Sequence, residues 1–508
     1  MDRLQTRIVQ IKENHFLPIF ITGAAGILYA IQAWYFSRIQ RSLLDEGNYL
    51  LKGYLFVTKQ YTPYQDFGPW TNKMPLSFLI PGWIQQLFSP GLLTGRNYAF
   101  ILSLLILIFS VIIGLRLGGK WGGALTAMIF ACSPAPLKIY TKVLTEGLTA
   151  TMLLISLIFI LGENRPTWQL ILGSFVAGLI PVTRINLLPV LPVILLYLWI
   201  LYGWRKGILF ALVSLVPFIG FHAFYWPGIL RLWAKWIPAG MVKGLDLLKH
   251  GYGEAEQAHQ TAWGFRNRLL AFSQGIRFQL PFMLAAFTAL SFWPKKWSDS
   301  SKKRSAIFLL VLFGSLFALH LWAAIFLDYN IHAFFRYLAA FNFLGIFLIL
   351  TTWDNWNLDL PKWRQVLIGF GLVFFTLIIG FSISEQSSTF GIWFKGLLEN
   401  NFYIFNNHEL FGKAWDGWKN IQASLGWDYA LTLRMLALGV SLLAILLIVL
   451  LAKWVYKRVS RSQERTSARF QLSHALIGIF AIGILLSPTK LLGRGFVFYD
   501  CSPTALKQ

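Results

Sequence analysis

Charge is scarce in this chain. Asp, Glu, Lys and Arg make up only 13% of its 508 residues, where a soluble domain carries about one quarter. Acids are the scarcer sign, 21 against 45 basic residues. Cysteine is rarer still, with Cys132 in an apolar run and Cys501 near the C-terminus. Two such cysteines exclude a disulfide framework and a structural zinc site. The sequence also lacks internal repeats, low-complexity tracts, a separable soluble domain and an arginine-rich arm. A net charge of +24 would suggest a nucleic-acid partner in a soluble protein, but no nucleic-acid motif accompanies it here.

What fills the space is apolar. Hydrophobic residues make up 56% of the chain, with 22 Trp, 18 Tyr and 44 Phe. A helix needs roughly 20 mostly apolar residues to cross a bilayer, because no water is present there to satisfy the backbone. Such runs recur, as in Ala99 to Leu117 and Leu431 to Leu451. The pattern predicts an all-α polytopic membrane protein with about 13 spans, read from the hydropathy of the chain. They are expected near 16–36, 99–117, 121–137, 143–161, 168–183, 185–201, 207–225, 279–293, 306–326, 337–352, 365–382, 430–452 and 470–486. The first is long enough to span and no small-residue cleavage site follows it, so it reads as a retained span and not a signal peptide.

The basic residues give an orientation. With the N-terminus inside, the loops at 115–120, 203–206, 294–305, 353–364 and 453–469 all fall inside, and all carry Lys or Arg. Lys295, Lys296, Lys302, Lys303 and Arg304 cluster in one, and Lys453, Lys457, Arg458, Arg461, Arg465 and Arg469 in another. The outer side then receives segments 37–98, 226–278 and 383–429. These are too short for an independent large domain, so the chain reads as one transmembrane domain, 1–508, capped by outer loop helices.

The first outer loop reads SLLDEGNYLLKGYLFVTKQYTPYQDFGPWTNKMPLSFLIPGWIQQLF. The acidic pair Asp45–Glu46 follows the first span. A helical segment comes next, with Tyr49, Leu50, Gly53, Tyr54 and Val57 on one apolar face. After the turn-rich TPYQDFGP, a second amphipathic segment starts at Lys73 and runs to Phe88. The bland account of Asp45 is a helix N-cap, where a carboxylate meets free N–H groups and the positive dipole end.

An acidic pair after the first span, then Gly–Tyr, then Pro-Tyr-x-Asp, then a Lys/Pro/Leu element before a surface helix resembles the GT-C glycosyltransferases. Within them it is most similar to the relatives of protein O-mannosyltransferases and bacterial lipid A aminoarabinose transferases. The motif covers roughly residues 40–90. The resemblance implies a GT-C type bundle using a polyprenyl-phosphate-linked sugar donor and a hydroxyl-bearing acceptor. It implies a bacterial inner membrane, with the active site facing outside. Asp45 takes the place of the family's catalytic carboxylate, with Glu46 beside it, and Lys73 that of a lysine contacting the donor phosphate. The aminoarabinose transferases carry an arginine three residues after the aspartate; Asn48 stands there in this chain. Neither their phosphate contacts nor their sugar therefore transfers directly.

Ionisable residues at the mouths of spans are costly and are functional candidates by default. Glu146 opens the fourth span in KVLTEGL, with Lys138 and Lys142 nearby. Arg184 separates the fifth and sixth spans in PVTRINLLP, and His332, Arg336 and Tyr337 lie in DYNIHAFFRY. Glu146, Arg184 and Arg336 also match, in order, acidic and basic positions of the resembled family, with Arg184 and Arg336 expected to contact donor phosphate. Asp66, Glu146 and His332 are candidates for an acceptor or second acidic site. The bland alternatives are an N-cap for Glu146, interfacial anchoring for Arg184 and Arg336, and an ordinary interfacial histidine for His332.

These groups suit transfer from a phosphate leaving group. A carboxylate can take the acceptor proton, and Lys and Arg can stabilise charge growing on phosphate. Apolar groove walls can hold the lipid tail. One carboxylate and one displacement predict inversion at the anomeric carbon. No cofactor is established, although Asp45, Glu46 and Glu146 could gather around a divalent cation. The competing reading is a transporter or flippase of a lipid-linked or anionic substrate, but the two-half symmetry common in transporters is not evident. A polysaccharide polymerase or ligase of another fold, and a scaffold, are further alternatives. The orientation has a direct test: a cysteine introduced at Ser300 is expected to resist impermeant thiol labelling from the outer side of sealed cells, and ready labelling there would reverse the topology.

Overall fold

The computed structural model describes residues 16–40, 42, 44–61, 74–236, 265–326, 336–355, 361–371 and 373–375, with isolated positions 424, 426, 439 and 443. Lys73, Asp66 and His332 lie outside the described residues, as do all but isolated positions of the segments 383–429, 430–452 and 470–486. Helices dominate, and no strand occurs among the described residues. In chain order the helices are α1 (Phe16–Ile39), α2 (Leu44–Val57), α3 (Leu76–Leu87), α4 (Leu92–Cys132), α5 (Pro134–Ile139), α6 (Thr145–Ile160), α7 (Thr167–Thr183), α8 (Val190–Tyr202), α9 (Trp204–Phe224), α10 (Phe265–Phe278), α11 (Leu280–Ser291), α12 (Ser300–Phe326) and α13 (Leu344–Thr352).

Among the described residues, five segments are long and apolar enough to cross a membrane: Phe16–Ile39, Leu92–Cys132, Ile185–Tyr202, Trp204–Phe224 and Ser300–Ala324. Their outward faces are apolar. Phe16, Ile19, Phe20, Ile27 and Ile31 of α1 are exposed, as are Ile208, Leu212, Val216 and Ile219 of α9. Large side chains repeated along exposed helix faces are stable against lipid and not against water. The chain is an integral membrane protein with several spanning helices.

Boundaries follow local chemistry. α4 contains the expected span 99–117 and the expected 121–137 as far as Cys132, where extended Ser133 ends it; the two parts join at Gly118–Gly119, where Gly119 adopts φ 62° and ψ −159°. That backbone conformation favours glycine, and it marks the expected 115–120 loop. α12 begins at Ser300, six residues before the expected 306, so Lys302, Lys303 and Arg304 are helical and not loop. The segment 226–278, expected as an outer loop, includes helix α10 in its last part.

The described residues divide into two units. Those up to 289 together with those of 294–355 form one, and residues 290–293 with the described positions from 361 to 443 form the other. In the second unit, residues 362–371 are helical and Arg364 Nη1 donates to the Trp293 carbonyl at 3.1 Å.

In the first unit α1 packs on α4, with Tyr29 and Ser103 hydroxyls 2.6 Å apart and the Tyr29 ring edge-on to Phe130. The two loop helices α2 and α3 lie unusually close. A Cβ on Gly82 would stand 2.2 Å from the Gly53 carbonyl oxygen, and one on Gly53 2.3 Å from that of Phe78. Small residues let helix backbones approach this way. Tyr49 and Phe56, about two turns apart on α2, both pack their rings on Phe78. The helix that begins with Asp45 is thereby held rigidly on α3.

Candidate functional site

Asp45 and Glu46 both lie in the first turn of α2, which begins at Leu44. They therefore stand inside the helix and not at its cap. Successive helical side chains point about 100° apart, so the two carboxylates enter different surroundings.

Glu46 is fully buried. Its carboxylate is paired with the guanidinium of Arg96, through a contact from Nε to Oε1 and a second from Nη2 to Oε2 at 2.6 Å. Oε1 also accepts from the Val143 amide at 3.0 Å, and Oε2 from the Ser42 hydroxyl at 3.1 Å. Arg96 donates further to the carbonyls of Ser37 at 3.2 Å and Gln40 at 3.4 Å. One ion pair thus joins the end of α1, the start of α2, the start of α4 and the turn before α6.

Asp45 keeps partial access to solvent and faces Arg336, with which it forms a short ion pair. Arg336 Nε lies 3.7 Å from Glu146 Oε1, and Arg184 Nη1 lies 2.9 Å from the same oxygen. Four of the residues expected from sequence therefore meet in one chain, Asp45–Arg336–Glu146–Arg184. Their contacts also settle two bland alternatives. Glu146 is not the N-cap of α6, since that position is Leu144. Arg184 is not an interfacial anchor: it donates to Thr145 Oγ1 at 2.7 Å and Asn186 Oδ1 at 2.9 Å, and lies 4.3 Å over the Tyr337 ring.

The sequence reading left several supporting groups out. Asn186 Nδ2 donates to His320 Nε2 at 2.9 Å, and His320 Nδ1 donates to the Leu316 carbonyl at 2.7 Å. A carbonyl only accepts, which places the ring proton on Nδ1. A lone histidine within an apolar run was the available signal. Tyr140 donates to the Ala339 carbonyl and lies 3.1 Å from Asn342 Oδ1, while Asn342 Nδ2 donates to Gln279 Oε1 at 2.5 Å. These bonds tie the turn before α6 to the segment following Arg336.

Lys142 lies in that turn, half-buried. Among the described residues its ammonium makes no hydrogen bond and no ion pair. Burial pushes its pKa down to about 8 from the usual 10.5; Glu46 opposes the shift, and Arg96, Lys138 and Arg336 add to it. The two acids of the Asp45 chain balance its two arginines, and Glu46 balances Arg96. Among the described residues the Lys142 charge is left over. Among the described residues no three His, Cys, Asp or Glu side chains come together as a metal-holding group. Asp45, Glu46 and Glu146 each face an arginine.

Glu46→Gln is expected to destabilise the folded protein by about 3–5 kcal/mol, because it strands a buried guanidinium. Thermal unfolding in detergent checks this, with the Asp45→Asn protein, expected near wild type in stability, as the comparison.

No family model and no curated protein matches this chain. The chain is similar to the crystal structure of ArnT from Cupriavidus metallidurans bound to undecaprenyl phosphate, at 15% identity and a TM-score of 0.45, over 92% of this chain and 76% of that one. The apo-state structure of the same protein is similar at 15% identity and a TM-score of 0.47, over 92% of this chain and 75% of that one.

Proposed function

We propose that the Asp45 cluster is the catalytic site of a GT-C type membrane glycosyltransferase, which moves a sugar from a polyprenyl-phosphate donor to a hydroxyl acceptor. The observation that carries this reading is the pairing of a partly exposed carboxylate, Asp45, with Arg336, beside the uncompensated cation Lys142. Proton acceptor and anion ligands stand side by side, as the chemistry requires. The order of the first loop, from Asp45–Glu46 to KMPL, supports the same class.

The step breaks the bond between the anomeric carbon and the phosphate oxygen. The acceptor oxygen attacks the anomeric carbon from the opposite face, which inverts its configuration. Asp45 takes the acceptor proton, and the bonding pair leaves with polyprenyl phosphate. Arg336 and Lys142 receive the growing phosphate charge, joined by Lys73. Arg336 has two roles in this scheme. Without donor it neutralises Asp45; with donor it turns to phosphate, and Asp45 is freed to act as base. Arg184, its Nη1 engaged by Glu146 and Thr145 and its Nε by Asn186, positions Glu146 and through it Arg336. Glu46 serves as a positioning residue. Asp66 and His332 are assigned to the acceptor side on sequence alone. With the N-terminus inside, the reaction takes place on the outer face.

Purified protein incubated with radiolabelled polyprenyl-phosphate sugars and membrane extract should yield labelled product. Movement of unmodified substrate across sealed vesicles, without product, would instead make it a transporter. Asp45→Asn should insert and fold normally, while turnover falls by about 10²–10⁴, the usual contribution of a positioned general base. Near-normal turnover would remove Asp45 from the chemistry.

Lys142 gives the site a pH signature. A bound phosphate stabilises the ammonium, so donor binding takes up a proton once the free lysine begins to titrate. Donor affinity should be level below about pH 8 and fall as pH rises above it. Lys142→Arg keeps its charge and should flatten the alkaline fall; equilibrium binding of labelled donor at several pH values measures both. An alkaline fall unchanged in Lys142→Arg would exclude Lys142 as its source.

A further inference from the structure

A second charged site lies at the other end of α6. Glu146 stands in the first turn of this 16-residue helix, and a cavity of about 200 Å³ opens beside Leu157 and Leu161 at its far end. At 1.5 Å per residue the two ends are roughly 24 Å apart. The cavity is therefore separate from the Asp45 cluster, and its chemistry is independent of the reading given to that cluster.

The lining is mixed. α4 and α6 supply isoleucine and leucine side chains, while Arg116, Arg165, Lys302, Ser301 and Asp299 supply polar groups. Three cations thus face one acid. Asp299 is already engaged, since its Oδ1 accepts from the Ser301 amide at 2.8 Å. Lys302 has a carboxylate partner in Asp354, at 2.7 Å. The two arginines have none among the described residues. Arg116 Nη1 donates to the Ile158 carbonyl at 2.6 Å, and Arg165 donates through Nε and Nη2 to the Leu161 carbonyl at 2.9 and 2.7 Å. Neutral carbonyls fix the direction of the guanidiniums without cancelling their charge. The two charges repel each other.

Nearby Arg304 shows the contrast. It has a carboxylate partner in Glu163, with Nε to Oε1 at 2.7 Å, and it does not line the cavity. Lys302 and Arg304 thus find acids, whereas the two arginines that converge on the cavity do not among the described residues. A partly open cavity lined by two guanidiniums without a carboxylate partner among the described residues, together with aliphatic side chains, matches a phosphate ester attached to an apolar body. Basic pockets between spanning helices bind anionic headgroups by this chemistry.

We propose that the cavity lined by Arg116, Arg165 and Lys302 binds a phosphate group, carried by an anionic phospholipid headgroup or supplied as free phosphate. The aliphatic walls favour the lipid source, and the basic-loop pattern places this end of the bundle on the inner side of the membrane, where such headgroups are available.

The test uses the full-length protein in mild detergent. Native mass spectrometry counts retained lipid, and thermal unfolding is followed with added phosphatidylglycerol, phosphatidylcholine or inorganic phosphate. Phosphatidylglycerol should be retained and raise the unfolding temperature, with phosphatidylcholine ineffective. Arg116→Gln with Arg165→Gln should weaken retention by at least about tenfold, as expected for lost charge-assisted contacts. Arg304→Gln removes one charge from the same region without touching the cavity, and should leave retention unchanged. If the double variant does not insert, Arg165→Lys takes its place; it keeps the charge, loses the fork and should show a partial loss. Equal protection by inorganic phosphate, dependent on the same arginines, would assign the site to the free anion. Equal retention of both lipids, retention unaffected by the arginine variants, or an Arg304→Gln loss as large as theirs would overturn the proposal.

Discussion

The buried pair between Glu46 and Arg96 is the constraint on which the rest of the site depends. Its two residues join four separate stretches of chain: the end of α1, the start of α2, the start of α4 and the turn before α6. Burying two charges is costly, and the cost is offset only when both are fully hydrogen-bonded. Here the carboxylate oxygens accept from Ser42 and Val143 as well as from Arg96. What the pair secures is geometry. It fixes the rotation of α2, and so the direction in which the neighbouring Asp45 points.

That rotation separates two adjacent carboxylates into different tasks. Glu46 faces inward and is saturated with donors. Asp45 faces outward, toward a single arginine and partial solvent. A base must be able to lose its partner when substrate arrives, and only the second arrangement allows it. The remaining charges follow the same logic. Glu146 is clamped by Arg184, whose other bonds run to Thr145 and Asn186, and Asn186 leans in turn on a neutral His320 deep in α12. Beside this cluster Lys142 has no such support among the described residues.

The scaffold around this cluster obeys the demands of a lipid environment. The outward faces of α1 and α9 are apolar, and contacts between helices rely on small residues. Gly178 would place a Cβ 2.0 Å from the Ser214 carbonyl oxygen, and Gly345 2.2 Å from that of Phe282. Without a hydrophobic driving force between helices in lipid, close backbone approach and van der Waals contact replace it. The same device joins α2 to α3 through Gly53 and Gly82, so the helix bearing Asp45 is held by backbone contact as well as by the ion pair.

The sequence by itself determined the membrane class, the positions of most described spans and the acidic and basic residues of the Asp45 chain. Periodicity and the absence of charge are local properties, and the bilayer demands them of each helix separately. Asp45, Glu146, Arg184 and Arg336 were legible because an ionised group at a span mouth stands out against an apolar background. Tertiary structure alone decided which of them touch. It paired Asp45 with Arg336, assigned Glu46 to Arg96 and left Lys142 unbalanced. Arg96, 50 positions from Glu46 in the chain, carried no local mark beyond being an arginine at a span start. Partner choice among charges depends on helix rotation and on the low dielectric between packed helices, and neither can be read from a single stretch of sequence.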